Sequence, residues 1–302
     1  MVISNAHAGD PYKIDTLFMY MANMAWNSSM NTSGTMKMLT DKDKNGNYLI
    51  PNVIYSDSYS SEMVAFADLI LPDTTYLERY DCISLLDRPI CEANSVADSI
   101  RWPVVEPDRE VRGFQTVLLQ LGALLNLPGM TKENGQPKYK DYADYIQNHE
   151  RRPGIGPLAG FRGRAGDKRG RGEPNSKQIE NYIENGGFWS EEIPKNAQFY
   201  KPWNLAYQSW AVEMGFFDKP QPYLFQIYLE PLRKFQLAAE GFGIHQPPNH
   251  LRSQLKKHME PLPTWWSTVP SQPNYSEQFP LHAITQRPAA MYHSWGSQNA
   301  WL

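Results

Sequence analysis

Cysteine is almost missing from this chain of 302 residues: Cys82 and Cys91 are the only two. Eight residues lie between them, so no Cys-x-x-Cys pair exists, and these residues encode neither a structural zinc site nor an iron–sulfur cluster. Two thiols leave one disulfide open but make no disulfide framework. Long apolar runs are missing too. The longest candidate, Val117 to Leu127, is broken by Gln120, Gly122 and Asn126, well short of the ~20 residues that cross a bilayer. No basic segment followed by an apolar stretch opens the chain, so no secretory signal is read. A net charge of only −3 argues against a protein built mainly to coat nucleic acid. There is no Gly-x-Ser-x-Gly elbow to anchor acyl transfer. His245, His250 and His258 share a region but lack His-x-x-x-His spacing, so surface and packing roles outweigh a metal site.

What is present supports a substantial core: 41% of residues are hydrophobic and 13% aromatic, which excludes general disorder. The 24 prolines imply many fixed turns. The first third alternates strand and helix signals. Thr16–Tyr20 reads as a buried strand, 33–44 as a short helix, Asn52–Tyr55 as a second strand and Asp68–Leu71 as a third, stopped by Pro72. Ser60 or Ser61 caps a helix running through Ala67. This order predicts an α/β fold with a parallel, Rossmann-like sheet. Val111, Phe114, Leu118, Leu121 and Leu125 predict an amphipathic helix over 109–127, capped by Asp108, that covers the sheet or closes the domain.

Residues 131–175 change character. The stretch from Arg151 to Gly172 is rich in glycine and arginine, and reads as a long basic loop without a core. Its spacing Gly154-x-Gly156-x-x-x-Gly160 misses both phosphate-loop patterns. Contact with RNA or an acidic partner stays open for it. Further on, Asn175 with Gln178 predicts a capping box for a helix over 176–185. A helix over 203–216, a strand over 223–229 and proline-punctuated loops over 246–274 follow.

Carboxylates crowd 57–92, and at least half must be caps or solvated charges. Position singles out a subset. Asn23 lies beyond the first strand and Asp57 just beyond the second, where open parallel sheets bind ligands. An acidic side chain there accepts hydrogen bonds from a guanine edge or a ribose hydroxyl, and the small Ser58 leaves room for a nucleotide. Turn-forming roles for Asn23 and Asp57 carry equal weight at this point. The tail 279–302 goes strand-like and then packs hydroxyls, an amide, an imidazole and Arg287 together, a set suited to a phosphorylated ligand. It reads as the opening of a new folded unit that stops before a core closes.

The run Tyr55 to Arg79, with Glu62, Ala67-Asp68, Leu71-Pro72 and Glu78, resembles the E-T-A-x-x-A-D-x-x-L-P-x-x-x-x-x-E signature of the dimethyl-sulfoxide-reductase family of bis-molybdopterin-guanine-dinucleotide oxidoreductases. Met63 and Val64 replace the signature's threonine and alanine. Asp81–Pro89 and Glu230–Phe235 are most similar to large subunits of cytoplasmic sulfite dehydrogenases, with thiosulfate, polysulfide and tetrathionate reductases close. The resemblance implies a catalytic-subunit fragment: an α/β cofactor-binding domain over 1–130, its basic and aromatic-rich extension over 131–275, and the first strands of a double-psi-type, dinucleotide-binding β-barrel over 276–302. It implies that Asn23, Asp57 and Ser58 contact a guanosine end of the molybdenum cofactor, and that Thr285, Arg287, His293 and Ser294 line the pterin and phosphates. The metal ligand and iron–sulfur motif of the family have no counterpart here, and neither cysteine stands at the ligand's position. A cytoplasmic complex is implied, with iron–sulfur electron-transfer and membrane-anchor subunits and a small sulfur oxyanion as substrate. The competing reading is a non-catalytic module that binds a protein or RNA through 151–172.

Overall fold

The computed structural model describes residues 2–10, 12–21, 23, 31–84, 90–91 (backbone), 94–163, 172–199, 201, 203–221, 227–268, 274–281 and 284. The chain divides after Gln221 into two compact units.

The first unit begins as the strand–helix alternation predicts. Helix α1 (Val2–Ala8), strand β1 (Thr16–Tyr20), helix α2 (Thr32–Thr40), strand β2 (Asn52–Asp57), a 3₁₀ turn (Glu62–Phe66) and strand β3 (Leu69–Pro72) follow one another. The strands pair parallel in the order β1-β2-β3. Leu17 pairs in register with Val53 and Met19 with Tyr55. All four are buried in one cluster with Ile3, Ala6, Leu39, Ile50 and Met63, so α1, α2 and the 3₁₀ turn cover that face. On the other face Phe114 stacks on Tyr20, with centroids 3.9 Å apart and planes 7° apart, and meets Phe18 edge-on. The second strand runs on to Asp57, so Asp57 is its last residue and not a loop residue past it. The helix expected to end at Ala67 is only the 3₁₀ turn, and Ser61 does not cap it. The Ser61 hydroxyl is instead 2.9 Å from the Tyr55 hydroxyl.

A second, antiparallel sheet follows, which the sequence pattern did not announce. Strand β6 (Ser95–Arg101) pairs with β4 (Asp81–Ile83) and β5 (Ile90–Cys91) along one edge and β7 (Phe188–Glu192) along the other. Burial alternates along β6, with Val96, Asp98 and Ile100 inward. Helices α3 (Phe114–Leu124), α4 (Tyr142–Asn148), α5 (Gln178–Glu184) and α6 (Leu205–Glu213) complete the unit. Val96, Ile100, Ile146, Leu158, Tyr182, Trp189 and Trp210 lie in one core.

This core overturns the reading of 151–163 as a coreless linker, because Ile155, Leu158 and Ala159 are buried in it or beside it. Gly160 is required by packing. A Cβ there would sit 2.3 Å from Cγ of Trp189, and one at Gly156 would lie 2.5 Å from the His149 carbonyl oxygen. Arg162 is fully buried and donates to Glu150 at 2.8 Å, while burial itself pulls its guanidinium pKa down. Helix α5 starts at Gln178 without the predicted capping box. The Gln178 amide donates to the Leu158 and Gly160 carbonyls at 3.0 and 2.8 Å instead. In α6 Asn204 is the cap, its Oδ1 accepting from Ala206 and Tyr207.

Helix α3 is shorter than 109–127. Gly113 stands at its N-terminus without a side-chain cap, and Asp108 lies outside it. Apart from Phe114, its predicted apolar stripe is not packed away: Gly122 is its one buried residue.

In the second unit, α7 (Glu230–Glu240) and α8 (Asn249–His258) pair, with Gln236 Nε2 donating to the Lys256 carbonyl and Leu229 N–H to the Pro261 carbonyl. Helix α8 falls where loops were expected, and Leu229 stands at the N-terminus of α7 rather than in a strand. A short helix α9 (Tyr275–Gln278) follows. Residues 222–226, which hold most of the strand expected over 223–229, lie outside the described residues, as does most of the tail 279–302. No described helix is long and apolar enough to cross a membrane.

Candidate functional site

The carboxyl ends of β1, β2 and β3 carry a connected set of polar groups. Parallel pairing continues one residue past the strands, with Met21 N–H donating to the Ser56 carbonyl and Asp73 N–H to the Asp57 carbonyl. Asp57 is buried at the end of β2. Its Oδ2 accepts the Tyr55 hydroxyl at 2.5 Å and its Oδ1 accepts the Tyr59 N–H at 3.2 Å, an Asx turn. Ser58 donates to the Thr74 carbonyl at 2.7 Å and so ties the loop after β2 to the loop after β3. Asn23 is wholly buried beyond β1, and its amide nitrogen donates to Glu62. Among the described residues its Oδ1 has no hydrogen-bond partner. A buried amide oxygen left bare costs free energy, so its natural complement is a donor brought by a ligand.

Beside this crevice Arg79 stitches the strand ends together. It donates to Asp73 at 2.5 Å and to the Thr74 carbonyl at 3.1 Å, and it reaches Sδ of Met21. Asp73 in turn accepts the Phe114 N–H at 2.8 Å, which fixes the start of α3 against the sheet. A polar cavity of about 400 Å³ opens at the end of β1, lined by Tyr20, Arg79, Asp81, Cys82, Ser84, Gln115 and Tyr142. Burial, reinforced by Asp73, pushes the Tyr20 hydroxyl pKa up. Burial, helped by the Cys82 thiol 3.3 Å away, does the same for Tyr142. Both hydroxyls therefore stay protonated at neutral pH. Sequence reasoning missed this cavity because β4 and α4, which bring in Cys82 and Tyr142, pack there from distant parts of the chain. The available signal was Arg79, next to Glu78 in the quoted run.

The structure brings together three of the seven predicted site residues, Asn23, Asp57 and Ser58, at neighbouring strand ends. Thr285, Arg287, His293 and Ser294 lie outside the described residues. Of the crowded carboxylates, Glu62, Asp68, Asp73, Glu78 and Asp81 all have protein partners, as does Asp57. Cys82 faces the cavity. Among the described residues no group of three His, Cys, Asp or Glu side chains is placed to hold a metal ion.

Fold and crevice together define an α/β module with acceptor groups, Asp57 and the Asn23 oxygen, at the carboxyl ends of adjacent parallel strands. No protein-family model matches the chain. Over an alignment 304 positions long that covers the whole of this chain, it is 49% identical to the A subunit of sulfite dehydrogenase from Allochromatium vinosum. It spans 31% of that protein's length.

Proposed function

We propose that this chain is part of the catalytic subunit of a sulfur-oxyanion oxidoreductase of the sulfite-oxidising type, and that the crevice at the ends of β1 and β2 holds the guanosine end of a molybdopterin guanine dinucleotide. The 49% identity along the whole chain supports the enzyme class. The observation that carries the cofactor reading is the buried Asn23 oxygen beyond β1, which has no hydrogen-bond partner among the described residues.

The residues present fit a guanosine. Its base edge offers N–H donors and its ribose offers hydroxyl donors, and the crevice presents acceptors. Asp57 presents an acidic acceptor at the end of β2, the residue type that takes donors from a base edge or a ribose. Its bonds to Tyr55 and Tyr59 hold its plane fixed, so it meets a ligand without reorganising. The Asn23 oxygen takes one further donor, with Glu62 orienting the amide by its other end. Ser58, engaged with Thr74, contributes a small side chain and a spare lone pair. When bound, such a cofactor supplies two-electron redox chemistry and oxygen-atom transfer at molybdenum. The role of this chain's residues is to anchor and orient it. Iron–sulfur and membrane-anchor partners in a cytoplasmic complex belong to the same proposal.

The interaction-module reading loses three of its arginines, while 164–171 lie outside the described residues. Arg151 and Arg152 donate to the Gly215 carbonyl, Arg152 pairs with Asp218, and Arg162 is buried against Glu150. Metal and nucleotide analysis of the full-length protein tests the proposal. Stoichiometric molybdenum and an extractable guanine-containing pterin are expected, and a correctly matured protein lacking both would refute it.

A further inference from the structure

Helix α3 is an unusual segment of the first unit. Its eleven residues, Phe-Gln-Thr-Val-Leu-Leu-Gln-Leu-Gly-Ala-Leu, include no charged group, and only Gly122 is buried. Leu118 and Leu121 are more than a third exposed, and beyond them Leu124 and Leu125 are 84% and 61% exposed, with Leu127 near half. A helix gains most of its stability from packing an apolar stripe against a larger body, and the leucines of this one face outward instead. The sheet beneath is bare in the same sense. Leu69 and Ile70 of the edge strand β3 point to opposite faces and are each about half exposed, whereas parallel sheets are normally covered on both faces.

We propose that α3 is a docking seat for an apolar segment of the same polypeptide lying outside these 302 residues. The inference rests on the reading of the chain as part of a larger subunit. The relative it matches is about three times as long, which leaves ample chain to cover the helix. The physical character of α3 selects among occupants. A membrane core is excluded by length, since eleven residues rise only about 16 Å against ~30 Å of hydrocarbon. A membrane surface calls for Lys and Arg on the polar side, and that side of α3 offers Gln115, Thr116 and Gln120. With no charge to steer an encounter, the fitting surface is another leucine- or valine-rich face that folds together with this one.

Thiol labelling of the full-length protein tests this without reference to activity or cofactor. Leu118→Cys and Leu124→Cys variants are alkylated with iodoacetamide beside Glu133→Cys, an exposed turn position, and each site is followed by peptide mass spectrometry. Both leucine positions are expected to react at least tenfold more slowly than position 133. Equal rates would overturn the proposal. So would protection that disappears on dilution, which points to a second copy, or protection that appears only when a separate protein chain is added. Oxidative footprinting of the unsubstituted leucines gives the same readout if a variant fails to fold. Cofactor content, measured separately, reports on the catalytic reading alone.

Discussion

Two buried aspartates on the two sheets of the first unit make the most instructive comparison. Asp98, in the middle of β6, is fully buried, and its Oδ2 accepts the Ala159 and Gly160 N–H groups and the Tyr182 hydroxyl at 2.6, 3.0 and 3.2 Å. These donors come from a loop and a helix packed over the strand, so the carboxylate joins three segments inside a closed core. Asp57, at the end of β2, is nearly as buried, but Tyr55 and Tyr59, the partners that fix its two oxygens, stand two residues away on either side. It organises its own turn and faces the end of the sheet. Burial of a carboxylate is therefore no mark of a binding site in itself. What separates the two is position: Asp57 ends a parallel strand, beside an Asn23 oxygen with no partner among the described residues.

Substitution sharpens this contrast. Asp98→Ala leaves two backbone N–H groups and a tyrosine hydroxyl without acceptors in the core, at about 1–3 kcal/mol each. The largest loss of stability is expected here, about 3–9 kcal/mol by the same reckoning, read from chemical denaturation. A loss below about 1 kcal/mol would show that water replaces the carboxylate and that the core is not sealed. Asp57→Asn keeps an acceptor for Tyr55, so a loss of only about 1 kcal/mol is expected. A loss matching that of Asp98→Ala would erase the distinction between the two sites.

The smallest effect concerns the rim of the crevice. Glu78 accepts both Arg109 Nη groups at 2.6 and 2.8 Å, and these bonds, with the Thr75 N–H, hold its carboxyl pKa down at about 2. The unfolded value is about 4.3, so the unfolded chain binds more protons in the interval between them. The stabilisation is complete above the unfolded value and drains away as pH falls towards 2. Arg109→Gln is expected to make the acid limb of the melting-temperature profile shallower. An identical pH dependence in the variant would mean that this ion pair contributes nothing.

Much of the parallel sheet was legible because Thr16–Tyr20, Asn52–Tyr55 and Asp68–Leu71 are short apolar runs bounded by turn residues. The same alternation placed Asn23 and Asp57 at strand ends. The antiparallel sheet was hidden because its central strand, Ser95–Arg101, carries Asp98 at an inward position where the pattern calls for an apolar side chain. Helix α8 escaped because Leu251 and Leu255 are its only large apolar residues, and none of its residues is buried. The glycines of 154–160 read as a flexible loop because sequence cannot show that Trp189 and His149 lie where Cβ atoms would go. The α3 stripe was read correctly as apolar but wrongly as covered, since periodicity reports which side needs a partner and not whether one is present.

The most direct measurement is the content of guanine-containing pterin, per mole of full-length protein, in Asp57→Asn beside the unsubstituted protein, with Asp98→Asn as the control for general damage. The expected result is a near-stoichiometric content in the unsubstituted protein and at least a tenfold loss in Asp57→Asn, with any folded Asp98→Asn fraction retaining the cofactor. Undiminished pterin in Asp57→Asn would contradict the assignment of the crevice to the guanosine end.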